Sequence, residues 1–194
     1  MILIIDNTKN LNKAYMTPKL IECLINNNIK YHVASQRLEV NKILSENNEI
    51  KGIILSGGPL CLSEELTISS INKNIVALFS QIPVLGICFG FQIMAASYGG
   101  KIDSMEQVHQ GIKNIEIDIN SMIFHGLNKN IDAFESHRDK LVEVPPNFNV
   151  ISVSIDGIIQ GIENKKLKRW GVQFHPEGLE TSNKIILNFI NYCL

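Results

Sequence analysis

The chain has 194 residues, 45% of them hydrophobic, and its 18 basic and 19 acidic side chains leave a formal charge of −1, a size and balance expected of one globular domain over 1–194 with a substantial core. The basic residues are scattered among the acidic ones, which argues against a nucleic-acid-binding face. No apolar run approaches the ~18 residues that a bilayer span needs, and Met1-Ile2-Leu3-Ile4-Ile5-Asp6 lacks the basic start of a signal peptide, so no membrane is expected and a cytoplasmic location is.

Residues 2–5 are a short continuous apolar run, the pattern of a strand buried on both faces of a parallel sheet, and Asp6-Asn7 ends it. Thr17-Pro18 reads as an N-cap with proline at the first helical position. Leu20, Ile21, Leu24 and Ile25 then form an apolar stripe that Asn26-Asn27-Asn28 stops. A second strand is expected over 29–34 and a short helix around Val40, Ile43 and Leu44, ahead of a third buried strand over 52–55. This βαβα alternation predicts a parallel sheet with right-handed crossovers, helices on both faces, and sites at the carboxyl ends of the strands. The third strand runs into Ser56-Gly57-Gly58-Pro59, a loop able to offer bare backbone N–H groups to an oxyanion. Residues 64–81 read as the next helix, with Leu66, Ile71, Ile75, Leu78 and Phe79 inward.

The stretch Pro83-Val84-Leu85-Gly86-Ile87-Cys88-Phe89-Gly90-Phe91-Gln92 is a buried strand that turns abruptly into a helix. Gly86 and Gly90, having no Cβ, allow backbone to approach backbone on either side of Cys88, and the tight turn predicts a strained, exposed sulfur. A helix follows through Tyr98 and closes at Gly99-Gly100, which puts Cys88 where the helix dipole favours a thiolate. An inert core cysteine has the same local pattern, so other stretches must decide.

Beyond residue 100 the pattern changes to shorter, partly antiparallel strands over 101–104, 112–119 and 131–135. Residues 150–155 and 158–162 around Asp156-Gly157 have the signature of a hairpin. Residues 170–174 form a last apolar strand and 183–192 a closing helix. The strand ends in Gly171-Val172-Gln173-Phe174-His175-Pro176-Glu177, an extended segment whose His175 and Glu177 leave on one side. A cysteine nucleophile needs an imidazole to take its proton and a carboxylate to fix that imidazole, and Cys88, His175 and Glu177 supply one of each. The four cysteines (Cys23, Cys61, Cys88, Cys193) lie far apart without C-x-x-C or zinc-ligand spacing, so neither disulfides nor a metal site are expected.

Gly-Ile-Cys-Phe-Gly-Phe-Gln, with Ser-Gly-Gly-Pro upstream and Gly-Val-Gln-Phe-His-Pro-Glu downstream, resembles the class I, triad-type glutamine amidotransferases over nearly the whole chain. The resemblance implies an α/β fold: a flavodoxin-like, mostly parallel sheet with helices on both faces and a small antiparallel annex. It implies that Cys88 attacks the side-chain amide of L-glutamine, that His175, held by Glu177, moves the proton, and that a γ-glutamyl thioester is hydrolysed to glutamate. The backbone N–H groups of Gly58 and Phe89 would form the oxyanion hole, and Gln92, Ser136 and His137 would help hold the substrate.

Phe134-Glu135-Ser136-His137-Arg138-Asp139-Lys140-Leu141, then Pro145-Pro146-Asn147-Phe148, resembles the amidotransferase part of GMP synthases. The chain has nothing like the Ser-Gly-Gly-x-Asp-Ser loop of an ATP pyrophosphatase. The resemblance therefore implies a glutaminase subunit, without a cofactor of its own, whose ammonia goes to a separate ATP pyrophosphatase subunit that uses ATP and Mg and converts XMP to GMP. His137 and Asp139, read as a polar loop of the annex, would couple the two subunits. Cys61, Leu141, Gly178 and Asp6-Asn7-Thr8 depart from the family pattern. Three alternatives stay open: a stand-alone γ-glutamyl hydrolase, the amidotransferase subunit of anthranilate or aminodeoxychorismate synthase, and a non-catalytic binding homologue.

Overall fold

The structure, a computed structural model, describes residues 1–8, 16–35, 43, 49–63 and 82–194. The elements run β1 (Ile2–Asp6), α1 (Thr17–Asn26), β2 (Tyr31–Ser35), β3 (Gly52–Leu55), β4 (Val84–Ile87), α2 (Phe89–Ser97), β5 (Lys101–Ile117), β6 (Asn130–Glu143), β7 (Asn149–Ser154), β8 (Ile159–Asn164), β9 (Arg169–Val172) and α3 (Asn183–Cys193). The helix expected over 64–81 lies outside the described residues, as does most of the one expected around 40–44.

The nine strands among the described residues belong to one sheet, ordered β2-β1-β3-β4-β9-β8-β6-β5-β7, with β7 also pairing β8. The strands from β2 to β9 are parallel, and from β9 onward every pairing is antiparallel. The β7–β8 pairing closes β8-β6-β5-β7 into a barrel-like ring. The α/β class holds, but the expectation of a small annex of short strands does not: β5 has 17 residues and β6 has 14. Most of β5 is exposed or half-buried on both faces, so its sequence carries little period-two alternation, and only pairing with β6 reveals its length.

Burial explains the parallel half. Alternate side chains of β1 feed opposite faces: Ile2 and Ile4 pack with Leu20 and Leu24 of α1 and Phe189 and Ile190 of α3, whereas Leu3 and Ile5 pack with Phe91 and Met94 of α2. Each such fully buried side chain contributes roughly 1.5–3 kcal/mol, so β1 is fixed from both sides. Thr17 does not cap α1 as expected. Met16 occupies the N-cap, and the Thr17 hydroxyl donates to Asp6 Oδ1 at 2.8 Å. Asn27 ends the helix, and Asn28 takes a left-handed φ of 55°. Among the described residues no helix is long and apolar enough to cross a membrane.

Candidate active site

The strand β4 ends one residue before Cys88, which is held at φ 50°, ψ −108°, a conformation that costs a non-glycine residue of order 1–3 kcal/mol. Its N–H donates to Val172 O of β9 at 2.8 Å, and its carbonyl accepts the first bond of α2, from Gln92 N at 3.0 Å. The flanking glycines are required by contact. A Cβ on Gly86 would lie 2.7 Å from Gly90 O, and one on Gly90 would lie 2.2 Å from Leu55 O. The tight turn expected from the sequence is therefore present, with Cys88 at the N-terminus of α2.

The segment after β9 brings His175 to the same place. His175 N donates to Phe134 O of β6 at 2.8 Å, and its ring tilts against the Phe134 ring, centroids 6.3 Å apart. Glu177 is not in extended chain as expected. It lies in a one-turn 3-10 helix, Pro176–Gly178, whose bend returns the carboxylate to the imidazole, with Nδ1 and Oε1 2.8 Å apart. The departure at Gly178 has a steric cause, since a Cβ there would meet Phe134 Cβ at 2.7 Å.

Cys88, His175 and Glu177 are all buried. Burial is the largest influence on the imidazole and pushes its pKa down. Negative charge on Cys88 and on Glu177, with hydrogen bonds to both, outweighs it, so the His175 pKa stands well above its ordinary value. Nδ1 is engaged by Glu177, which leaves Nε2 as the nitrogen for Cys88. By contrast, burial raises the Cys23 thiol to about 11, with Glu177 adding to the effect, and burial raises Cys193 to about 12, as befits packing groups.

The Ser56-Gly57-Gly58 loop lies over this pair. A Cβ on Gly57 would meet His175 Cε1 at 2.7 Å, and one on Gly58 would meet Asn7 O at 2.9 Å and Phe89 Cδ1 at 3.3 Å. The loop is clamped by residues whose role the sequence did not disclose. Asn7 Nδ2 donates to Ser56 O at 2.6 Å, Ser56 Oγ accepts from Asn7 N at 3.0 Å, and Asp6 accepts from Thr8, Thr17 and Ser56. Asp6-Asn7-Thr8, a departure from the family pattern, thus anchors the glycine loop. The available signal was a polar triplet at the carboxyl end of a wholly buried strand.

Gln92 is buried rather than solvated, and its Nε2 donates to Gln173 Oε1 at 3.1 Å and to Asp139 O at 3.4 Å. Gln173 Nε2 in turn approaches Cys88 Sγ at 3.7 Å, a contact for which no local pattern prepares the reader of the sequence. Ser136 O accepts from Cys88 Sγ at 3.8 Å. A cavity of about 420 Å³ opens over Cys88, walled by Gly57, Gly58, Phe89, Gln92 and His175 and, from β6, by Ser136, His137 and Asp139.

The reading of His137 and Asp139 as a loop is overturned. Both lie within β6 and are buried, because Glu135, His137 and Asp139 alternate with exposed Ser136 and Arg138. Asp139 accepts from Ser63 N at 3.0 Å and Ser63 Oγ at 2.7 Å, tying β6 to the segment after the glycine loop, while His137 Nδ1 lies 3.0 Å from Asp139 O.

A cysteine at a strained strand–helix turn, an imidazole fixed by a carboxylate and a glycine loop over both are the parts that a cysteine-nucleophile site requires. The family model described as glutamine amidotransferase class-I matches residues 3–191, and the chain belongs to that family. It is 38% identical over 152 residues to one subunit of the glutamine-hydrolyzing GMP synthase of Methanococcus aeolicus, covering 77% of this chain and 78% of that one. It is likewise 38% identical over 162 residues to the glutamine-hydrolyzing GMP synthase of Dictyostelium discoideum, covering 79% of this chain but spanning only 22% of that protein's length. A crystal structure of a Thermoplasma acidophilum protein provisionally described as a GMP synthase subunit superposes with a TM-score of 0.83, at 26% identity, over 99% of this chain and 92% of that one.

Proposed function

We propose that residues 1–194 form one glutamine amidotransferase domain that hydrolyses L-glutamine to glutamate and ammonia, and that the ammonia passes to a separate ATP pyrophosphatase subunit, which uses ATP and Mg to convert XMP to GMP. The observation that carries the reading is the buried His175–Glu177 pair at 2.8 Å beside Cys88 at its strained turn. The strand order β2-β1-β3-β4-β9 of the parallel half supports a flavodoxin-like description of that part. Four cysteines outside any disulfide are in keeping with a cytoplasmic location.

In this mechanism the proton shared by Cys88 and His175 rests on the imidazole, in keeping with its raised pKa. The Cys88 sulfur adds to the carbon of the glutamine side-chain amide, and charge moves onto the amide oxygen. Backbone N–H groups of Gly58 and Phe89 receive that charge, each donor worth roughly 3–4 kcal/mol in the transition state. His175 gives its proton to the departing ammonia, leaving a γ-glutamyl thioester. It then takes a proton from water, which adds to the thioester and releases glutamate and the thiolate. Gln92, Ser136 and His137 line the cavity that receives the substrate. Asp139 is a positioning residue: through Ser63 it links β6 to the chain that follows Gly58, a route by which a docked partner would adjust the oxyanion hole.

The test measures glutamate release by the purified chain alone and with the pyrophosphatase subunit, ATP and XMP, for wild type, Cys88→Ala and Asp139→Ala. Loss of turnover in folded Cys88→Ala and stimulation of wild type by the loaded partner are expected, with weaker stimulation of Asp139→Ala. Residual turnover in Cys88→Ala sinks the nucleophile assignment. Equal stimulation of Asp139→Ala removes that residue from the coupling, and wild type at full speed without a partner points to a stand-alone hydrolase.

A further inference from the structure

Behind the cavity wall, β5 and β6 bring together three side chains that the glutaminase mechanism does not use as a group. His109 and His137 are direct partners across the antiparallel pair, and Glu135 lies two residues along β6 from His137, on the same face. The His109 Nδ1 and His137 Nε2 atoms lie 3.2 and 3.3 Å from the same oxygen, Glu135 Oε2. One donor atom from each of the three residues falls within 4.8 Å of the others.

With a neutral His137 ring the hydrogen bonding of this cluster does not balance; a second proton on that ring, donated to Glu135 Oε2 at 3.3 Å, or a metal ion in its place would balance it. His137 Nδ1 faces a backbone carbonyl, Asp139 O at 3.0 Å, which only accepts, so Nδ1 carries a hydrogen. In the neutral ring Nε2 is then a lone pair, and it is turned toward a carboxylate oxygen. Both Nε2 and Glu135 Oε1 are buried without a hydrogen-bond partner, and Glu135 has no exposed surface. Leaving such groups unmatched is costly, and a cation shared by His137 Nε2 and Glu135 Oε2 removes the conflict between those two atoms.

We propose that His109, Glu135 and His137 form a site for a borderline divalent transition-metal ion such as Zn²⁺. Two imidazoles and a carboxylate are a donor set that suits it, with a fourth position open to water. Metal–ligand bonds of about 2.0–2.1 Å in a tetrahedron place neighbouring donors about 3.3 Å apart, close to the 3.2 and 3.3 Å found here. Each histidine also has an outer partner that fixes the coordinating nitrogen: the Asp139 carbonyl for His137, and Asp156 Oδ2, 3.6 Å from His109 Nε2, for His109. Asp156 comes from the β7–β8 turn, so an ion here would pin that turn and β5 to the strand that walls the cavity. The spacing of the ligands hid the site from sequence reading. A pair two apart on one strand and a third 26 residues earlier match no short metal motif.

The experiment uses Cys61→Ser/Cys88→Ala protein, which removes the two thiols that line the cavity, stripped with EDTA and titrated with Co²⁺ by visible absorbance and with Zn²⁺ by calorimetry. One equivalent of either ion is expected to bind, with nitrogen–oxygen ligand-field bands and no sulfur charge-transfer band. Adding His109→Ala should abolish that equivalent, and Asp156→Asn should weaken it about 10-fold or more. Where His109→Ala lowers the melting temperature of the metal-free protein, His109→Gln serves in its place. No saturable equivalent, or an equal affinity in both His109 variants, overturns the proposal. Because binding is read without turnover, a failed glutaminase reading would leave this result standing, and the reverse.

Discussion

Glu177→Gln isolates the charge that Glu177 places on His175. The carboxylate oxygen lies 2.8 Å from Nδ1, and the centres of the two charges are then separated by about 4 Å, worth about 4 kcal/mol at an effective dielectric constant near 20. The amide of the variant keeps a hydrogen bond to Nδ1 but carries no charge, so its dipole offsets only part of that loss and the His175 pKa falls. Burial opposes the imidazolium, while Cys88 supplies the leading part of the compensation, so His175 in the variant stays partly raised. The active pairing needs a protonated His175, so the alkaline limb of kcat/KM should move to lower pH in Glu177→Gln. The assay is coupled glutamate release from pH 5.5 to 10, with the rate of Cys88 alkylation followed in parallel. An alkaline limb at the wild-type pH in both measurements would refute the argument that Glu177 holds the proton on His175 electrostatically.

His175→Ala removes the proton carrier and Glu177→Ala only its orienter, so kcat should fall further in His175→Ala, and the opposite order in a side-by-side assay would reverse the roles. Asn7→Ala frees the Ser56 carbonyl and loosens the glycine loop, so kcat should drop about 10-fold or more with little change in KM, because oxyanion donors act only in the transition state. A rise in KM at constant kcat would instead put Asn7 in ground-state binding. Cys23 has a folded-state pKa of about 11, above that of an unfolded thiol, so its contribution to stability is complete below the unfolded value and is lost as pH rises toward 11. Between pH 8.5 and 11 the melting temperature of wild type should therefore fall more steeply than that of Cys23→Ala.

The parallel half was legible because β1, β3, β4 and β9 are wholly buried, and continuous apolar runs such as 52–55 and 84–87 have few other uses. The elbow was legible for a related reason, since glycines at 86 and 90 are forced by backbone contacts and not by composition. Residues 101–117 were misread because β5 is exposed or half-buried on both faces for most of its length and obeys no strict alternation. The Thr17 hydroxyl and the Gln173 amide escaped notice for another reason: their partners, Asp6 and Cys88, are 11 and 85 residues away, and nothing local announces a long-range hydrogen bond.

The misreading of β6 matters most for the site, because this one strand sets the distances between parts that the parallel strands supply separately. Phe134 O holds the His175 backbone, Ser136 O meets the Cys88 sulfur, Asp139 O takes the Gln92 amide, and the Asp139 carboxylate holds Ser63. The carboxyl ends of β3, β4 and β9 could by themselves present a loop, a sulfur and an imidazole, but nothing in their own pairing fixes the imidazole to the loop. The β6 strand does so within six residues, with the Phe134 and Ser136 carbonyls on His175 and Cys88 and the buried His137 and Asp139 side chains on the cavity. The period-two pattern Ala133, Glu135, His137, Asp139, Leu141 was visible in the sequence, but polar residues at three of five buried positions disguised a strand as a loop. Strand burial of charged and titratable groups is tolerated only where partners offset it, so a buried polar alternation is itself a sign of a functional wall.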